Sequence, residues 1–285
     1  MSREPFVALV TGASSGIGET TARRLARGVD GSDVSLVLLA RREERLRALA
    51  EELQPTAVTV LALDVTEPDT PARVREALER EHGGRLHLLV NNAGRAWRGT
   101  FADTGWANLE RHMKLNFEAP ARLTEALLPL LRATAAHEGI ADAPGSPPAR
   151  RRVSIVNVAS TAARVSRPSS GAYSASKFAL AAWSDALHSE EAANGVHVGL
   201  VLPGFVQTEG FPARELRERA LTRWIVSQPE VVAKAIIEAG PGGKAERYVP
   251  RPYWLAAALR ILAPALIRRA TRGGAFTTST GTVAD

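Results

Sequence analysis

A tyrosine and a lysine four residues apart are the side chains of this sequence best suited to proton transfer. Tyr173 and Lys177 lie in AYSASKFALAAW, a segment of good helix formers, so both are expected on one helical face. An ammonium beside a phenol favours the phenolate and lowers its pKa from the usual value of about 10. Ser160, which closes the preceding apolar run, adds a hydroxyl. The three residues together predict a general acid–base site.

A glycine-rich loop follows the first apolar run and precedes a helix-like stretch. Its glycines allow a sharp turn and close approach to a pyrophosphate, whose charge is met by the N–H groups and positive end of the following helix. The loop residues predicted to bind a dinucleotide are Gly12, Ser14, Ser15, Gly16, Ile17 and Gly18. Taken alone, such a loop is also an ordinary tight turn, so its interpretation depends on the rest of the chain.

The end of the second apolar run bears on the choice of dinucleotide. An NAD-preferring fold usually has an acidic residue there, on the adenosine ribose. This sequence has Arg41 and Arg42 instead, which offer guanidinium groups to a 2′-phosphate. NADP(H) is therefore favoured over NAD(H). The alternative is that both arginines only begin a solvated helix, with Glu43 and Glu44 as partners.

The elements that would position these residues alternate along the chain. Short runs that are apolar throughout, as in parallel strands buried on both faces, are separated by segments of helical periodicity. The predicted strands are residues 6–10, 34–39, 57–63, 86–90, 153–158 and 196–202, with a short one at 247–249. This pattern predicts an α/β fold, a Rossmann-like doubly wound parallel sheet flanked by helices on both faces, in a single domain.

The separated motifs, in this order, resemble the short-chain dehydrogenase/reductase family over about residues 6–210. The motifs are TGASSGIG at 11–18, Asp64-Val65, the NNAG segment at 91–94, Asn116, Ser160, YSASK at 173–177, and Pro203-Gly204 with Thr208. The resemblance implies an oxidoreductase that moves a hydride between a nicotinamide and a carbonyl or secondary alcohol. The alternative is a protein that binds NADP(H) as a regulator or scaffold and has lost turnover.

The resemblance also implies a role for each catalytic residue. Tyr173 is the general acid in reduction, and Ser160 hydrogen-bonds the substrate oxygen. Lys177 binds the nicotinamide ribose and tunes Tyr173, while Asn116 holds a water that relays protons. No metal is implied, because the phenol and hydroxyl take the polarising role that zinc has in other alcohol dehydrogenases.

The remaining motif residues are expected at the cofactor. Asp64 and Val65 are expected at the adenine and Thr208 near the nicotinamide. Tyr173 and Lys177 are expected to contact the cofactor in addition to their catalytic roles. The other expected contacts are Asn92, Ala93, Gly94, Pro203, Gly204 and Val206. Each also has a plainer interpretation: an Asp after a strand can cap a turn, and Pro-Gly is a turn in many proteins.

Three segments fall outside the motif set. Within a catalytic domain of residues 1–250, residues 134–152 are expected to form a surface loop and residues 205–228 to shape the substrate cleft. Aromatic and apolar side chains suggest a bulky hydrophobic substrate, although core packing would explain them too. These side chains are Trp97, Phe101, Phe211, Trp224 and Ile225.

Residues 251–285 are read as an apolar and cationic extension. The stretch 254–267 is shorter than the roughly 20 residues that cross a bilayer and contains Arg260 and Pro264. It is expected to pack as an amphipathic helix on the body or on a second subunit. The alternative, peripheral membrane contact through residues 254–272, would place Trp254 and leucines in the interface and Arg260, Arg268, Arg269 and Arg272 at anionic headgroups.

Bulk composition narrows the function classes. The absence of cysteine removes disulfides and thiolate chemistry and fits a cytoplasmic protein, as does an N-terminal apolar run too short for a signal peptide. The 36 basic residues are offset by 30 acidic ones spread along the chain, so no nucleic-acid partner is expected.

The Tyr173 helix, through Ala179 to Trp183, carries an outer apolar face, which predicts a homodimer or homotetramer.

Overall fold

The computed structural model describes residues 4–139, 153–209 and 226–272. Seven strands form one parallel sheet in the order β3-β2-β1-β4-β5-β6-β9. Their bounds are β1 Phe6–Thr11, β2 Val34–Ala40, β3 Ala57–Ala62, β4 Leu88–Asn91, β5 Ser154–Val158, β6 His197–Pro203 and β9 Glu246–Val249. The order reverses between β1 and β4, so the predicted doubly wound, Rossmann-like α/β fold is confirmed, and each predicted strand is observed to within two residues.

Helices cover both faces of this sheet. They are α1 Gly16–Leu25, α2 Glu43–Glu52, α3 Thr70–His82, α4 Phe101–Met113, α5 Ala119–His137, α6 Gly171–Glu191, α7 Pro229–Ala239, α8 Tyr253–Leu262 and α9 Pro264–Arg272. A separate two-stranded parallel pair joins β7 Phe205–Val206 to β8 Val226–Ser227.

The central strands are buried on both faces, as their apolar sequences predict. Every residue of β1, β2, β5 and β6 is buried. One apolar cluster packs under α1, α2 and α7, and a second packs under α3 and α5. Burying apolar area of this extent supplies the main driving force for folding. The strand ends that carry Thr11, Asn91 and Ser160 are thereby held at one edge of the sheet.

Helix α5 is longer than the sequence analysis predicted. The segment 134–152 was expected to be a loop, but the helix continues through Thr134 and Ala135, both buried, to His137. Thr134 makes this possible because its hydroxyl donates to the Leu130 carbonyl and accepts from the Leu86 N–H, at 2.8 and 3.1 Å. The prediction is wrong for 134–137, and residues 140–152 lie outside the described part of the chain.

A five-residue π-helix, Lys114–Glu118, joins α4 to α5 without a break. It contains Asn116, which is fully buried. A π-turn holds one more residue than an α-turn and redirects the side chains within it, which is why such segments recur at functional sites. Here it turns the Asn116 amide toward the loop that follows β4.

The C-terminal extension begins with contact to the main domain. A Cβ added to Gly204 would lie only 2.3 Å from a ring carbon of Tyr253, so the tyrosine packs directly on that glycine. Residues 253–272 then form two helices, interrupted before Pro264, rather than the single amphipathic helix expected. No helix in the described ranges combines the length and apolar character needed to span a bilayer.

Candidate active site

Ser160 and Tyr173 meet at the edge of the sheet where β5 ends. Ser160 begins a 3-10 turn, and its hydroxyl accepts the Ala162 N–H at 3.1 Å and donates to the Pro203 carbonyl at 3.3 Å. It also hydrogen-bonds the Tyr173 hydroxyl. The two hydroxyls predicted to face the substrate oxygen are therefore adjacent.

The pKa of Tyr173 differs from the sequence-based expectation. Burial raises it, because desolvation penalises the phenolate, while the hydrogen bond with Ser160 and the positive charge of Arg167 lower it in part. Lys177 was expected to lower this pKa, but its ammonium instead donates to the Val158 carbonyl at 2.9 Å. Burial lowers the pKa of Lys177 itself to about 8. Tyr173 is consequently protonated at neutral pH.

Asn116 is held by backbone groups of the loop after β4. Its amide nitrogen donates to the Arg95 carbonyl at 3.0 Å and to the Ser176 hydroxyl at 3.1 Å, and its amide oxygen accepts the Arg95 N–H at 3.0 Å. A Cβ added to Gly94 would lie 2.9 Å from Asn116 Oδ1 and 3.2 Å from Lys177 Nζ. The two polar groups therefore converge on a position that only glycine leaves open.

The glycine-rich loop has the backbone that a phosphate cradle requires. Gly12 and Gly16 have positive φ values of 68° and 56°. A Cβ on Gly18 would lie 2.3 Å from the Gly12 carbonyl oxygen. Ser15, at the N-cap of α1, makes no side-chain capping bond. The first N–H groups of α1 thus suit an anionic ligand, and the residues present fit the pyrophosphate of a dinucleotide.

The NNAG segment is tied to the glycine-rich loop through Thr11. The Thr11 hydroxyl accepts the N–H groups of Asn92 and Ala93, at 3.0 and 2.9 Å, and the Asn92 amide donates to the Thr11 carbonyl at 2.9 Å. A Cβ on Gly12 would lie 3.0 Å from the Ala93 Cα. The loops after β1 and β4 therefore form one surface, on which the predicted cofactor contacts lie together.

The two arginines after β2 point to different places. Arg42 turns to the glycine-rich loop and donates to the Ser15 hydroxyl at 2.7 Å and the Ser14 hydroxyl at 3.2 Å. Arg41 stays at the surface, 3.6 Å from an Asp64 carboxylate oxygen. Arg42, unlike Arg41, therefore contacts the glycine-rich loop directly.

An acidic residue that the sequence analysis did not select lies beside Arg42. Both Glu209 carboxylate oxygens accept from Arg45, at 2.8 and 3.0 Å, and one also accepts from Arg42 at 3.1 Å. The neighbouring Thr208 lies over the glycine-rich loop, since a Cβ on Gly16 would be 3.0 Å from Thr208 Cγ2. The segment after β6 therefore crosses over the glycine-rich loop.

Asp64 caps a turn, which is the simpler of the two roles that the sequence allowed. Its carboxylate accepts the Thr66 N–H at 2.9 Å and the Thr66 hydroxyl at 2.8 Å, as a turn-capping Asp does. Val65 is partly buried against the second apolar cluster. Their contact with adenine stays a prediction, as do the cofactor roles of Pro203, which ends β6, of Gly204, and of Val206 in β7.

The structure adds His112, for which the sequence held no motif. It is fully buried, its Nδ1–H donates to the Asn108 carbonyl at 2.6 Å, and its Nε2 accepts the Trp97 N–H at 2.9 Å. This pattern needs the neutral ring, and burial lowers the pKa of His112 accordingly. The ring lies 6.0 Å from that of Tyr173, centroid to centroid, and thus forms one wall of the site.

The predicted substrate cleft is only partly described. Trp97 is half-buried, with its ring edge-on to His112 at 4.9 Å and under the Arg111 guanidinium at 4.2 Å. Phe101 is 70% exposed and lies on the outer surface of α4. Phe211, Trp224 and Ile225 lie outside the described residues.

The structure combines a doubly wound sheet, a glycine-rich loop after β1 and a Ser–Tyr–Lys group at the same edge of the sheet. These features together are typical of dinucleotide-dependent oxidoreductases. A sequence model described as "short chain dehydrogenase" matches residues 6–218. The chain belongs to this family.

Curated relatives agree with this membership. The chain is 33% identical over 213 residues to dehydrogenase/reductase SDR family member 7B of Xenopus laevis, covering 71% of this chain and 58% of that protein. It is 30% identical to the ketoacyl reductase HetN of a Nostoc strain, covering 81% and 74%. The chain thus spans less than two thirds of the length of the first of these relatives.

Solved structures with the same fold extend over nearly the whole chain. A short-chain dehydrogenase from Streptomyces avermitilis has a TM-score of 0.72 at 29% identity, covering 96% of this chain and all of that one. A short-chain dehydrogenase from Sphingobium yanoikuyae in complex with NADPH has a TM-score of 0.70 at 29% identity, covering 99% of each.

Proposed function

We propose that this protein is an NADPH-dependent oxidoreductase that interconverts a carbonyl and a secondary alcohol. The observation that carries the proposal is the convergence of Ser160, Tyr173, Lys177 and Asn116 beside the glycine-rich loop. Family membership supports the reaction class, and the similarity to a ketoacyl reductase supports the direction of carbonyl reduction.

In the proposed reduction, the hydroxyl groups of Tyr173 and Ser160 both act on the carbonyl oxygen of the substrate. The nicotinamide, when bound, supplies the hydride to the carbonyl carbon. Tyr173 gives its proton to the carbonyl oxygen, and its raised pKa keeps that proton available at neutral pH. Ser160 donates a hydrogen bond to the same oxygen as charge develops on it. The product is the alcohol, and Tyr173 is left as the phenolate.

Lys177 and Asn116 restore the proton on Tyr173. With a pKa of about 8, the Lys177 ammonium can release a proton near neutral pH more readily than an exposed lysine. Asn116 faces the same position beside Gly94 as Lys177 does, and it is anchored by the Arg95 backbone. A water held there would connect the ammonium to solvent. Asn116 therefore acts as a positioning residue.

NADPH is preferred because of Arg42. Its guanidinium already contacts both serine hydroxyls of the loop, so it is directed to the place where the adenosine ribose would lie. A 2′-phosphate would replace these neutral acceptors with a charged one, which strengthens each hydrogen bond. The similarity to a dehydrogenase solved with NADPH supports the same choice.

The test is oxidation of NADPH and of NADH, in parallel, across a panel of ketones and aldehydes with apolar bodies. Turnover with NADPH at a higher kcat/KM than with NADH is expected. Tight NADPH binding without turnover on any carbonyl would instead establish the regulatory or scaffold alternative.

A homo-oligomer in the cytoplasm is part of the proposal. Leu180 and Ala181, expected on the outer face of the Tyr173 helix, are buried against the sheet, but Phe178 on the same helix is 40% exposed and Trp106 on α4 is 65% exposed. Analytical ultracentrifugation should show a dimer or tetramer that Phe178→Asp weakens, with Val231→Asp as an exposed control on α7. A monomeric wild type would contradict this assembly.

Peripheral contact with anionic membranes is proposed for α8 and α9. Their exposed apolar side chains are Trp254, Leu255, Leu259, Ile261, Leu262 and Leu266. Arginines on the same helices would meet lipid headgroups. Co-sedimentation with phosphatidylserine vesicles is expected for the wild type and reduced for Ile261→Ser with Leu262→Ser, whereas Val231→Ser should bind as the wild type does. Absence of wild-type binding would contradict the proposal.

A further inference from the structure

Two side chains of one continuous helical run hold the backbone of the loop between β4 and α4. Asn116 binds both polar groups of Arg95, accepting its N–H at 3.0 Å and donating to its carbonyl at 3.0 Å. His112 accepts the Trp97 N–H at 2.9 Å. Backbone groups outside helices and strands need such partners when they are shielded from water. Because His112 and Asn116 are four residues apart, one helix surface fixes the loop at two neighbouring points.

Only one state of the His112 ring satisfies both of its partners. Nδ1 faces the Asn108 carbonyl at 2.6 Å, and a carbonyl only accepts, so Nδ1 carries a proton. Nε2 faces the Trp97 N–H, which only donates, so Nε2 carries none. Protonation of the ring would set two N–H groups against each other and break the bond to Trp97. Because the ring is fully buried, the loss of that bond is costly.

The part of the loop that His112 holds is close to the groups that return the proton to Tyr173. Gly94 precedes Arg95, and a Cβ added to it would lie 2.9 Å from Asn116 Oδ1 and 3.2 Å from Lys177 Nζ. The Asn116 amide is bound to the loop through the Arg95 backbone. A displacement of this segment would therefore move Asn116 relative to the Lys177 ammonium.

We propose that the neutral ring of His112 is a positioning residue for the return of the proton to Tyr173. By binding the Trp97 N–H, it keeps the adjoining Arg95 backbone in the place where Asn116 binds it. His112 itself exchanges no proton with the substrate. This inference rests on the proposed function, and it adds a residue on which that function depends.

Two substitutions separate the hydrogen bond from the packing of the ring. His112→Gln offers an amide oxygen to the Trp97 N–H but removes the ring, whereas His112→Phe keeps a ring and cannot accept the bond. With NADPH and a carbonyl that the wild type reduces, kcat should fall about tenfold in the Phe variant and stay within about threefold in the Gln variant, with little change in KM. Equal losses of kcat in the two variants would assign the effect to packing and overturn the inference.

A histidine at the opposite edge of the sheet is the matched control. His82 is half-buried, and its Nδ1 lies 3.5 Å from the hydroxyl of Ser35, near the start of β2. His82→Phe removes a ring that hydrogen-bonds side chains far from Tyr173. This variant should keep the wild-type kcat.

The pH profile is a readout that a purely structural histidine would not change. Burial lowers the pKa of His112 from its usual 6.5, a hydrogen bond to a backbone carbonyl raises it, and the charges of Arg111 on α4 and Lys177 on α6 lower it further. Tyr173 on α6 and Arg95 on the loop also face this region. The wild-type kcat should therefore fall as the pH drops below 6.5, where the ring takes up a proton. His112→Gln should lack this decline, and parallel profiles would overturn the inference even where His112→Phe does not fold.

A measurement without substrate separates this inference from the proposed reaction. Hydrogen–deuterium exchange at the amides of Arg95 and Trp97 should be slow in the wild type and in His112→Gln, and at least about tenfold faster in His112→Phe. Exchange in β1 should be the same in all three proteins. Faster exchange in a protein that reduces no carbonyl would support the anchoring of the loop and refute the proposed reaction. Unchanged exchange in His112→Phe, or faster exchange with a wild-type kcat, would overturn the inference.

Discussion

The two ends of the proposed cofactor groove are built in opposite ways. At the end where the adenosine is proposed to bind, Arg42, Arg45 and Glu209 form ion pairs whose side chains are 44 to 52% exposed. At the reacting end, Ser160, Lys177 and Asn116 are buried and bound to backbone carbonyls or N–H groups. Exposed ion pairs exchange partners at little cost, whereas buried polar groups are costly to displace. We therefore expect substitutions at the exposed end to change mainly the affinity for the cofactor. At the buried end the positions of the catalytic side chains are fixed.

The strongest test of the buried end is Tyr173→Phe, which removes the transferable proton and keeps the ring. We expect kcat to fall by about a thousandfold, the scale of a general acid's contribution. Steady-state kinetics measures this, and NADPH fluorescence titration should show unchanged binding. Turnover near the wild-type rate would show that another group supplies the proton.

The exposed end is tested by Arg42→Leu. We expect kcat/KM for NADPH to fall by roughly ten- to a hundredfold, because a charge-assisted contact to the 2′-phosphate is lost. The value for NADH should stay within about twofold of the wild type, since NADH lacks that phosphate. Arg41→Leu is the matched variant on the adjacent residue and should have the smaller effect. Equal losses with both cofactors would contradict the assignment.

The cost of burying Lys177 should be visible as a dependence of stability on pH. Its folded-state pKa is about 8, lowered from 10.5, so between these values the unfolded chain holds a proton that the folded chain has released. Stability therefore rises with pH in this window, by at most about 1.4 kcal/mol per pH unit, and is flat below it.

The measurement compares urea unfolding of the wild type with that of Lys177→Met from pH 7 to 10. The difference between the two unfolding free energies should shift in favour of the wild type above pH 8. A difference that stays constant across this range would show that the pKa of Lys177 is not lowered.

The smallest expected effect is that of Glu209→Gln. The Glu209 carboxylate occupies Arg42 and Arg45, so it competes with a cofactor phosphate for the same donors. Its removal should tighten NADPH binding by about two- to fivefold, as suits an exposed pair. Fluorescence titration with NADPH and NADH checks this, and weaker NADPH binding would mean that Glu209 closes the groove instead.

Much of this arrangement could be predicted from the sequence, because local signals carry it. Apolar runs identified the strands, and the motifs around Gly12, Ser160 and Tyr173 identified one edge of the sheet. These motifs span only a few residues each, and the motifs around Gly12 and Ser160 directly follow predicted strands. The family and fold followed from their order along the chain.

The rest depends on contacts between distant residues. Nothing near His112 in the sequence indicates that its ring will pack between Trp97 and Tyr173. Arg167 stands in an ordinary loop, and only the fold brings it near Phe205. The predicted direction of the Tyr173 pKa shift was wrong for the same reason. Residue spacing shows that Lys177 and Tyr173 share a helix face, but it does not show how deeply the phenol is buried.

The π-helix at Lys114–Glu118 has a consequence for how this chain can change over evolution. It amounts to one residue more than a regular helix would hold, so deleting any one of the five would allow continuous α-helix from α4 into α5. That shorter helix would have better hydrogen bonding, yet Asn116 or its replacement would no longer face Arg95. Selection for helix stability alone would therefore favour loss of the extra residue, whereas the contact between Asn116 and Arg95 depends on keeping it.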